Sequence, residues 1–274
     1  MNDRLTLAHL SDLHVGTVSD HDLRHLAADV RAQAPQFIVI TGDLTQWGKS
    51  KEFARARQFI EMLPGTCLIV PGNHDISAFN PLERFARPFH RFKREMARPL
   101  EPIYLDSALC IVGLNSARRM LARFNWSHGV ISHRQIAWLR SALDQAGPGA
   151  LRIIAMHHPV IGTPGAVAGI AVKRSEQFLK AAAEAKCDLI LTGHGHRHGA
   201  RALNAPHVSR PLVAVSAGAA VSPRRRDEEN SYAVITYNGA MTVEQRLLRR
   251  GDWQASIRCR FERTNSGWCA VKPG

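Results

Sequence analysis

The apolar run 67–70 opens into Gly72-Asn73-His74-Asp75, which sets an amide, an imidazole and a carboxylate in consecutive positions. A packed core has no use for these groups, whereas an open α/β sheet presents chemistry where its strands end. The arrangement recurs along the chain. Run 5–10 leads into Asp12-Leu13-His14, run 37–41 into Gly42-Asp43, run 151–156 into His157-His158-Pro159, and run 187–192 into Gly193-His194-Gly195-His196. Side chains two apart in an extended segment share a face, so Asp12 and His14 can reach one cation. Together Asp12, His14, Asp43, Asn73, His157, His194 and His196 offer oxygen and nitrogen donors that suit Mn, Fe, Zn or similar divalent ions rather than calcium alone. Seven donors are enough for two metal ions that share one carboxylate.

The elements that must position these groups follow from hydrophobic periodicity. Apolar residues at helical spacing predict helices over 20–34 and 52–63, each closed by a proline, and over 132–143 and 175–185. They alternate with the apolar runs, including 109–114, so a parallel sheet with right-handed crossovers is expected. Its strand ends should then line one edge. Beyond residue 199, runs 212–216, 232–237, 241–248 and 255–261 read as antiparallel strands, and Asn238-Gly239 marks a hairpin. We expect residues 200–274 to complete a second sheet within one domain spanning 1–274. Residues 79–107 interrupt the alternation and read as a cap or insertion. There Arg84, Arg87, Arg91, Lys93, Arg94 and Arg98 interleave with Phe85, Phe89, Phe92 and Met96, an aromatic face that suits either core or an exposed cap.

Lys and Arg number 36 against 23 Asp and Glu in 274 residues, a formal charge of +13 that favours an anionic substrate or partner. The five cysteines include no C-x-x-C pair, no run reaches the ~18 apolar residues of a spanning helix, and the N-terminus lacks a signal-peptide pattern. A cytoplasmic location is expected. Trp253, Phe261 and Trp268 suit a core or a homodimer surface.

The ordered set D-x-H, G-D, G-N-H-D, H-x-P and G-H-x-H resembles the calcineurin-like metallophosphoesterase family, across residues 12–196. The resemblance implies an α/β fold, a four-layer αββα sandwich of two mixed sheets flanked by helices. It implies two divalent metal ions (Mn, Fe, Zn or a mixed pair), one held by Asp12, His14, Asp43 and His196, the other by Asp43, Asn73, His157 and His194. A hydroxide bridging the metals would attack phosphorus, with His74 stabilising the transition state or protonating the leaving oxygen. Asp75 would orient His74. The family pattern favours His157 over His158 as the ligand, since the ligand stands two residues before the proline.

The G-N-H-D form, the H-H-P motif and Gly113-Leu114-Asn115-Ser116 are similar to the bacterial class III cyclic-nucleotide phosphodiesterase branch. A small anionic phosphodiester, a cyclic nucleotide or a glycerophosphodiester, is the first expectation, with Asn115 and His128 as candidate substrate contacts. The basic excess motivates a second, a nuclease or a lipid or nucleotide pyrophosphatase acting on a polyanionic substrate such as nucleic acid or on an acidic membrane surface, in which Arg224-Arg225-Arg226 and the 84–98 segment would matter. A non-catalytic, metal-stabilised binding module is the third.

Overall fold

A computed structural model describes residues 4–118, 128–161, 171–205, 207–222 and 228–271; Arg224-Arg225-Arg226 lies outside them. The expected αββα sandwich is what the chain forms. In chain order the first half holds β1 (Leu5–Leu10), α1 (Asp20–Ala32), β2 (Phe37–Thr41), α2 (Ser50–Glu61), β3 (Thr66–Val70), α3 (Pro81–Ala86), α4 (His90–Met96), β4 (Ile103–Leu105) and β5 (Leu109–Leu114). Then follow α5 (His133–Leu143), β6 (Leu151–Met156), α6 (Ser175–Glu184), β7 (Leu189–Thr192), β8 (Gly199–Leu203), β9 (Leu212–Ser216), β10 (Ser231–Tyr237), β11 (Met241–Arg249), β12 (Asp252–Thr264) and β13 (Gly267–Val271).

One sheet has the order β13-β12-β11-β10-β1-β2-β3 and the other β4-β5-β6-β7-β9-β8. Strands β1, β2 and β3 run parallel, as do β5, β6, β7 and β9. This corrects one expectation: β10 to β13 extend the first sheet rather than completing the second. Strand β10 pairs antiparallel with β1, in the register Leu7 to Ile235, which leaves the second sheet to be closed by β8 and β9. Periodicity marked β9 to β12 but not β8 or β13, and it carried nothing about which edge each strand would join.

Three apolar layers hold the sandwich. Leu23, Leu26, Phe53, Phe59 and Phe92 pack helices against the first sheet, and Leu139, Leu143, Phe178 and Leu179 do so against the second. Between the sheets lie Val39, Val70, Ile153, Leu191, Ile235, Phe261 and Trp268. Phe261, Trp268 and Trp253 are therefore core. Within 79–107, α4 packs on α2, the Phe92 ring centroid 6.2 Å from that of Phe53, and β4 is an edge strand. No helix among the described residues is long and apolar enough to cross a membrane.

Opposite the strand ends that carry the motifs, Asp188 clamps the two sheets together. Its buried carboxylate accepts from the Arg152 backbone N–H at 3.0 Å and from Trp268 Nε1 at 2.9 Å, and pairs with Arg263 at 2.9 Å and Arg210 at 3.3 Å. Asp188→Ala should cost about 2–4 kcal/mol, because it leaves an indole N–H and two guanidinium groups without their partner. Urea unfolding measures this, and a loss under about 0.5 kcal/mol would contradict the clamp.

Candidate metal centre

The parallel strands deliver their polar ends to one edge, as the alternation predicts. Asp12 and His14 follow β1, Asp43 follows β2, Asn73 and His74 follow β3, His157 follows β6, and His194 and His196 follow β7. Backbone bonds lace these loops: Asp12 N–H donates to the Gly42 carbonyl at 3.1 Å, His14 N–H to Asp43 at 3.0 Å, and Gly193 N–H to His157 at 2.9 Å. Across the sheets, His194 N–H donates to Asp12 Oδ2 at 2.9 Å. The turns are so tight that Asp12, His14, Asp43, His194 and His196 all adopt left-handed backbone conformations, with φ between 45° and 67°. Such positions cost about 1–3 kcal/mol each and gather at functional sites.

The seven donors form two sets. In one, His14 Nε2 lies 3.3 Å from His196 Nε2 and 3.8 Å from Asp12 Oδ1, while His196 Nε2 lies 3.2 Å from Asp12 Oδ1. In the other, His157 Nε2 lies 3.1 Å from Asn73 Oδ1 and 3.2 Å from His194 Nδ1. Asp43 Oδ2 stands between them, 3.9 Å from His14 Nε2 and 3.3 Å from His157 Nε2.

These spacings can be tested against a cation. Donors bound at about 2.1 Å around one ion stand ~3.0–3.4 Å from each other, the range of most of these contacts. Ring nitrogens this close would repel through their lone pairs unless a proton or a cation lies between them. Asp12 Oδ1 is buried with no hydrogen bond of acceptable geometry. His157 Nδ1 faces the Thr41 carbonyl at 2.7 Å, and since a carbonyl only accepts, Nδ1 keeps its proton and Nε2 is the nitrogen that would ligate once a cation displaces its own. The residues fit a pair of metal ions.

The electrostatics agree. Burial would raise the pKa of Asp12 and Asp43, but nearby imidazoles outweigh it, His196 at Asp12 and His157 with His74 at Asp43, and hold both carboxylates well below their ordinary range. Burial opposes protonation of His157, yet the Asp43 carboxylate prevails and its pKa is pushed up to about 9. His14 is pushed down to about 4, burial outweighing Asp43 and Asp12.

His74 is half-buried, edge-on to His14 with ring centroids 4.8 Å apart. The expectation for Asp75 needs correction. It does not meet the His74 imidazole, whose Nδ1 instead faces the Gln46 carbonyl at 2.9 Å. Asp75 is buried and accepts from the backbone N–H groups of Gly72 at 2.9 Å, Thr45 at 3.0 Å and Leu44 at 3.3 Å, and from the Thr45 hydroxyl at 3.0 Å. A carboxylate three residues after Gly72 satisfies the N–H groups of its own turn and the neighbouring loop more readily than it reaches the next side chain. Burial and the nearby Asp43 charge push its pKa up to about 6.

Asn115 is likewise engaged locally, its Oδ1 accepting from Ala117 N–H at 3.1 Å. His128 is half-buried beside Gly129, which packs on the His158 ring. His158 Nδ1 lies 2.8 Å from the Ser116 hydroxyl, its ring is tilted 4.6 Å from that of His194, and its nitrogens come close enough to those of His157 and His194 for the three to form a further group able to hold a metal ion. Gln46, Thr45 and Ser116 were not anticipated. Their roles rest on backbone carbonyls and hydroxyls, which leave no trace in residue spacing.

A family model described as calcineurin-like phosphoesterase matches residues 5–198. The chain belongs to the calcineurin-like phosphoesterases. It is accordingly a hydrolase, which removes the binding-module alternative, and this family uses a dinuclear divalent metal centre that the clusters here fit. The chain is 26% identical over 205 residues to a glycerophosphodiester phosphodiesterase of Enterobacter lignolyticus, covering 71% of each chain. It is 26% identical over 207 residues to a probable cyclic nucleotide phosphodiesterase of a Synechococcus strain, covering 70% of this chain and 74% of that one. A dimetal phosphatase structure from Danio rerio shares the fold, with a TM-score of 0.61 at 15% identity over 92% of this chain and 98% of that one.

Two predictions follow from the packing and the charges. A Cβ on Gly72 would strike the Asp43 carboxylate and backbone, so Gly72→Ala should weaken metal binding by about 10–100-fold, read by equilibrium dialysis with manganese; unchanged affinity would refute the packing argument. In chelator-stripped protein, burial holds His9 near 3 and His14 near 4, against an ordinary 6.5. Their neutral forms take up protons only on unfolding, so stability falls as pH drops below about 6.5. His157 acts oppositely, its contribution complete below 6.5 and lost as pH rises through about 9. Burial also holds His158 well below 6.5, so it acts with His9 and His14, whereas Asp75, raised to about 6, takes up its proton in the folded state first and acts with His157. With three groups against two, stability should drop by on the order of 2 kcal/mol from about pH 7 to about pH 5. Thermal unfolding in EDTA at both values checks this, and an equal or higher midpoint at the lower pH would refute it.

Proposed function

We propose that this enzyme is a phosphodiesterase acting on small diesters of the glycerophosphodiester or cyclic-nucleotide type, with two divalent cations from among Mn, Fe and Zn. The carrying observation is Asp43 Oδ2, within 4 Å of an imidazole nitrogen from each donor set. On this reading Asp12, His14, Asp43 and His196 would hold one ion, and Asp43, Asn73, His157 and His194 the other. When bound, such a pair supplies Lewis acidity to the phosphoryl group and lowers the pKa of an attacking water. The two relatives named above as phosphodiesterases support the substrate class.

The chain's own groups supply the rest. His74 donates its Nδ1 proton to the Gln46 carbonyl, which fixes the ring and leaves Nε2 to carry a proton to the leaving oxygen. Asp75 positions that imidazole indirectly, by holding the Gly72 turn and the 44–45 loop together. The Thr41 carbonyl orients His157, and the Thr41 hydroxyl, 2.9 Å from His9 Nε2, ties β2 to β1 beneath the site.

Hydrolysis of bis-p-nitrophenyl phosphate with added manganese tests the reaction, and turnover of no diester with any divalent ion would end the proposal. His74→Ala should keep its metals and lose roughly 10²–10⁴-fold in kcat on an alkyl diester such as glycerophosphoethanolamine. The loss should be smaller on the p-nitrophenyl diester, whose leaving group needs no proton. Equal losses on both would remove the proton-donor role. A panel of cyclic nucleotides, glycerophosphodiesters and single-stranded DNA then ranks the substrates.

A further inference from the structure

The 79–98 segment divides in a way its sequence does not announce. Phe89, Phe92 and Met96 enter the core, but Phe79 is 66% exposed, Leu82 83% and Phe85 44%, and Trp47 on the adjoining loop is 37% exposed. Phe79 and Trp47 stack with centroids 5.4 Å apart, and the Lys49 ammonium lies 4.8 Å over the Phe79 ring. A contiguous patch of large apolar side chains on a surface marks a site of interaction. The same segment is basic. Residues 79–98 hold six Arg and Lys against two Glu. Both glutamates are already paired, Glu83 with Arg91 and Glu95 with Arg94, each at 2.5 Å. Arg87 and Lys93 stand exposed.

The patch adjoins the chemistry. Trp47 directly follows Gln46, whose carbonyl holds His74, and Ala78 N–H donates to the Trp47 carbonyl at 3.2 Å. One pair of loops thus carries both the His74 support and the apolar tip. An amphipathic surface with a basic rim is what binds the boundary between headgroups and acyl chains of an anionic bilayer. A nucleic acid could stack on Trp47 and Phe79 but offers nothing to Leu82.

We propose that this patch seats the protein on an anionic phospholipid surface, with the metal centre facing headgroup phosphodiesters; the second clause rests on the diesterase reading above. Hydrolysis there adds water across one P–O bond and yields a phosphomonoester and an alcohol. The full chain, loaded with manganese, should sediment with vesicles of phosphatidylcholine plus phosphatidylglycerol, less with phosphatidylcholine alone, and less at high salt. The double variant Phe79→Ser, Leu82→Ser should lose at least about tenfold in vesicle affinity, given the apolar surface removed, with bis-p-nitrophenyl phosphate turnover unchanged. Wild-type protein that ignores both vesicles, or a double variant that binds like wild type, overturns the docking surface. So does single-stranded DNA that displaces the vesicles and itself loses affinity in the double variant. Active enzyme that ignores vesicles sinks the docking alone; vesicle binding with no turnover of any diester sinks the reaction alone. Binding and soluble-diester turnover without release of a water-soluble product from the vesicles overturns the lipid substrate.

Discussion

The Asp43 carboxylate, buried between two sets of imidazoles, is the constraint from which the rest of the site follows. A carboxylate removed from water is stable only with opposite charge close by. His157, in the hydrogen-bonded position 3.3 Å away and itself pushed up to about 9 by this carboxylate, supplies it. The same arrangement draws donor nitrogens toward one another at distances that imidazoles otherwise avoid. Such a cluster is poised to exchange protons for metal, since each ligand must be deprotonated to bind.

Bringing five loops to one carboxylate has a backbone cost. Five of the seven donors, Asp12, His14, Asp43, His194 and His196, sit in left-handed conformations, and none is glycine. The cost is spread over turns that cross-link one another, from Asp12 to Gly42 and from Gly193 to His157. Beneath them lie parallel strands buried on both faces, too rigid to relax the strain away.

Much of this was legible in the sequence because apolar runs and the polar groups at their ends are local signals. The run 37–41 matched β2, and Asp20 with Pro35 bounded a helix that ends within three residues of expectation, at Ala32. The seven side chains lie together at the strand ends, although Asp12 and His14 get there from left-handed rather than extended backbone. Signals that depend on partners were not legible. Strand β8, Gly199–Leu203, carries little β propensity and exists through its pairing with β9. The attachment of β10 to β1 joins residues far apart in sequence that no periodicity links. The Asp75 carboxylate looked like a partner for the adjacent imidazole because adjacency is all that a motif records. In space, unpaired backbone N–H groups reached it first.

The pairing of β1 with β10 also bears on how the site is built in time. All seven donors have been made once residue 196 leaves the ribosome, yet the strand that bears Asp12 and His14 still lacks one neighbour until residues 231–237 arrive. The loop after β9 adds a second late tie, with Ala220 N–H donating to the Ser11 carbonyl at 3.0 Å, one residue from Asp12. Contacts of such sequence separation form slowly. The nascent chain therefore displays all seven side chains of the proposed centre before it has the scaffold to set them, and the last third of the polypeptide acts as the closing piece of a site to which its described residues bring none of the seven.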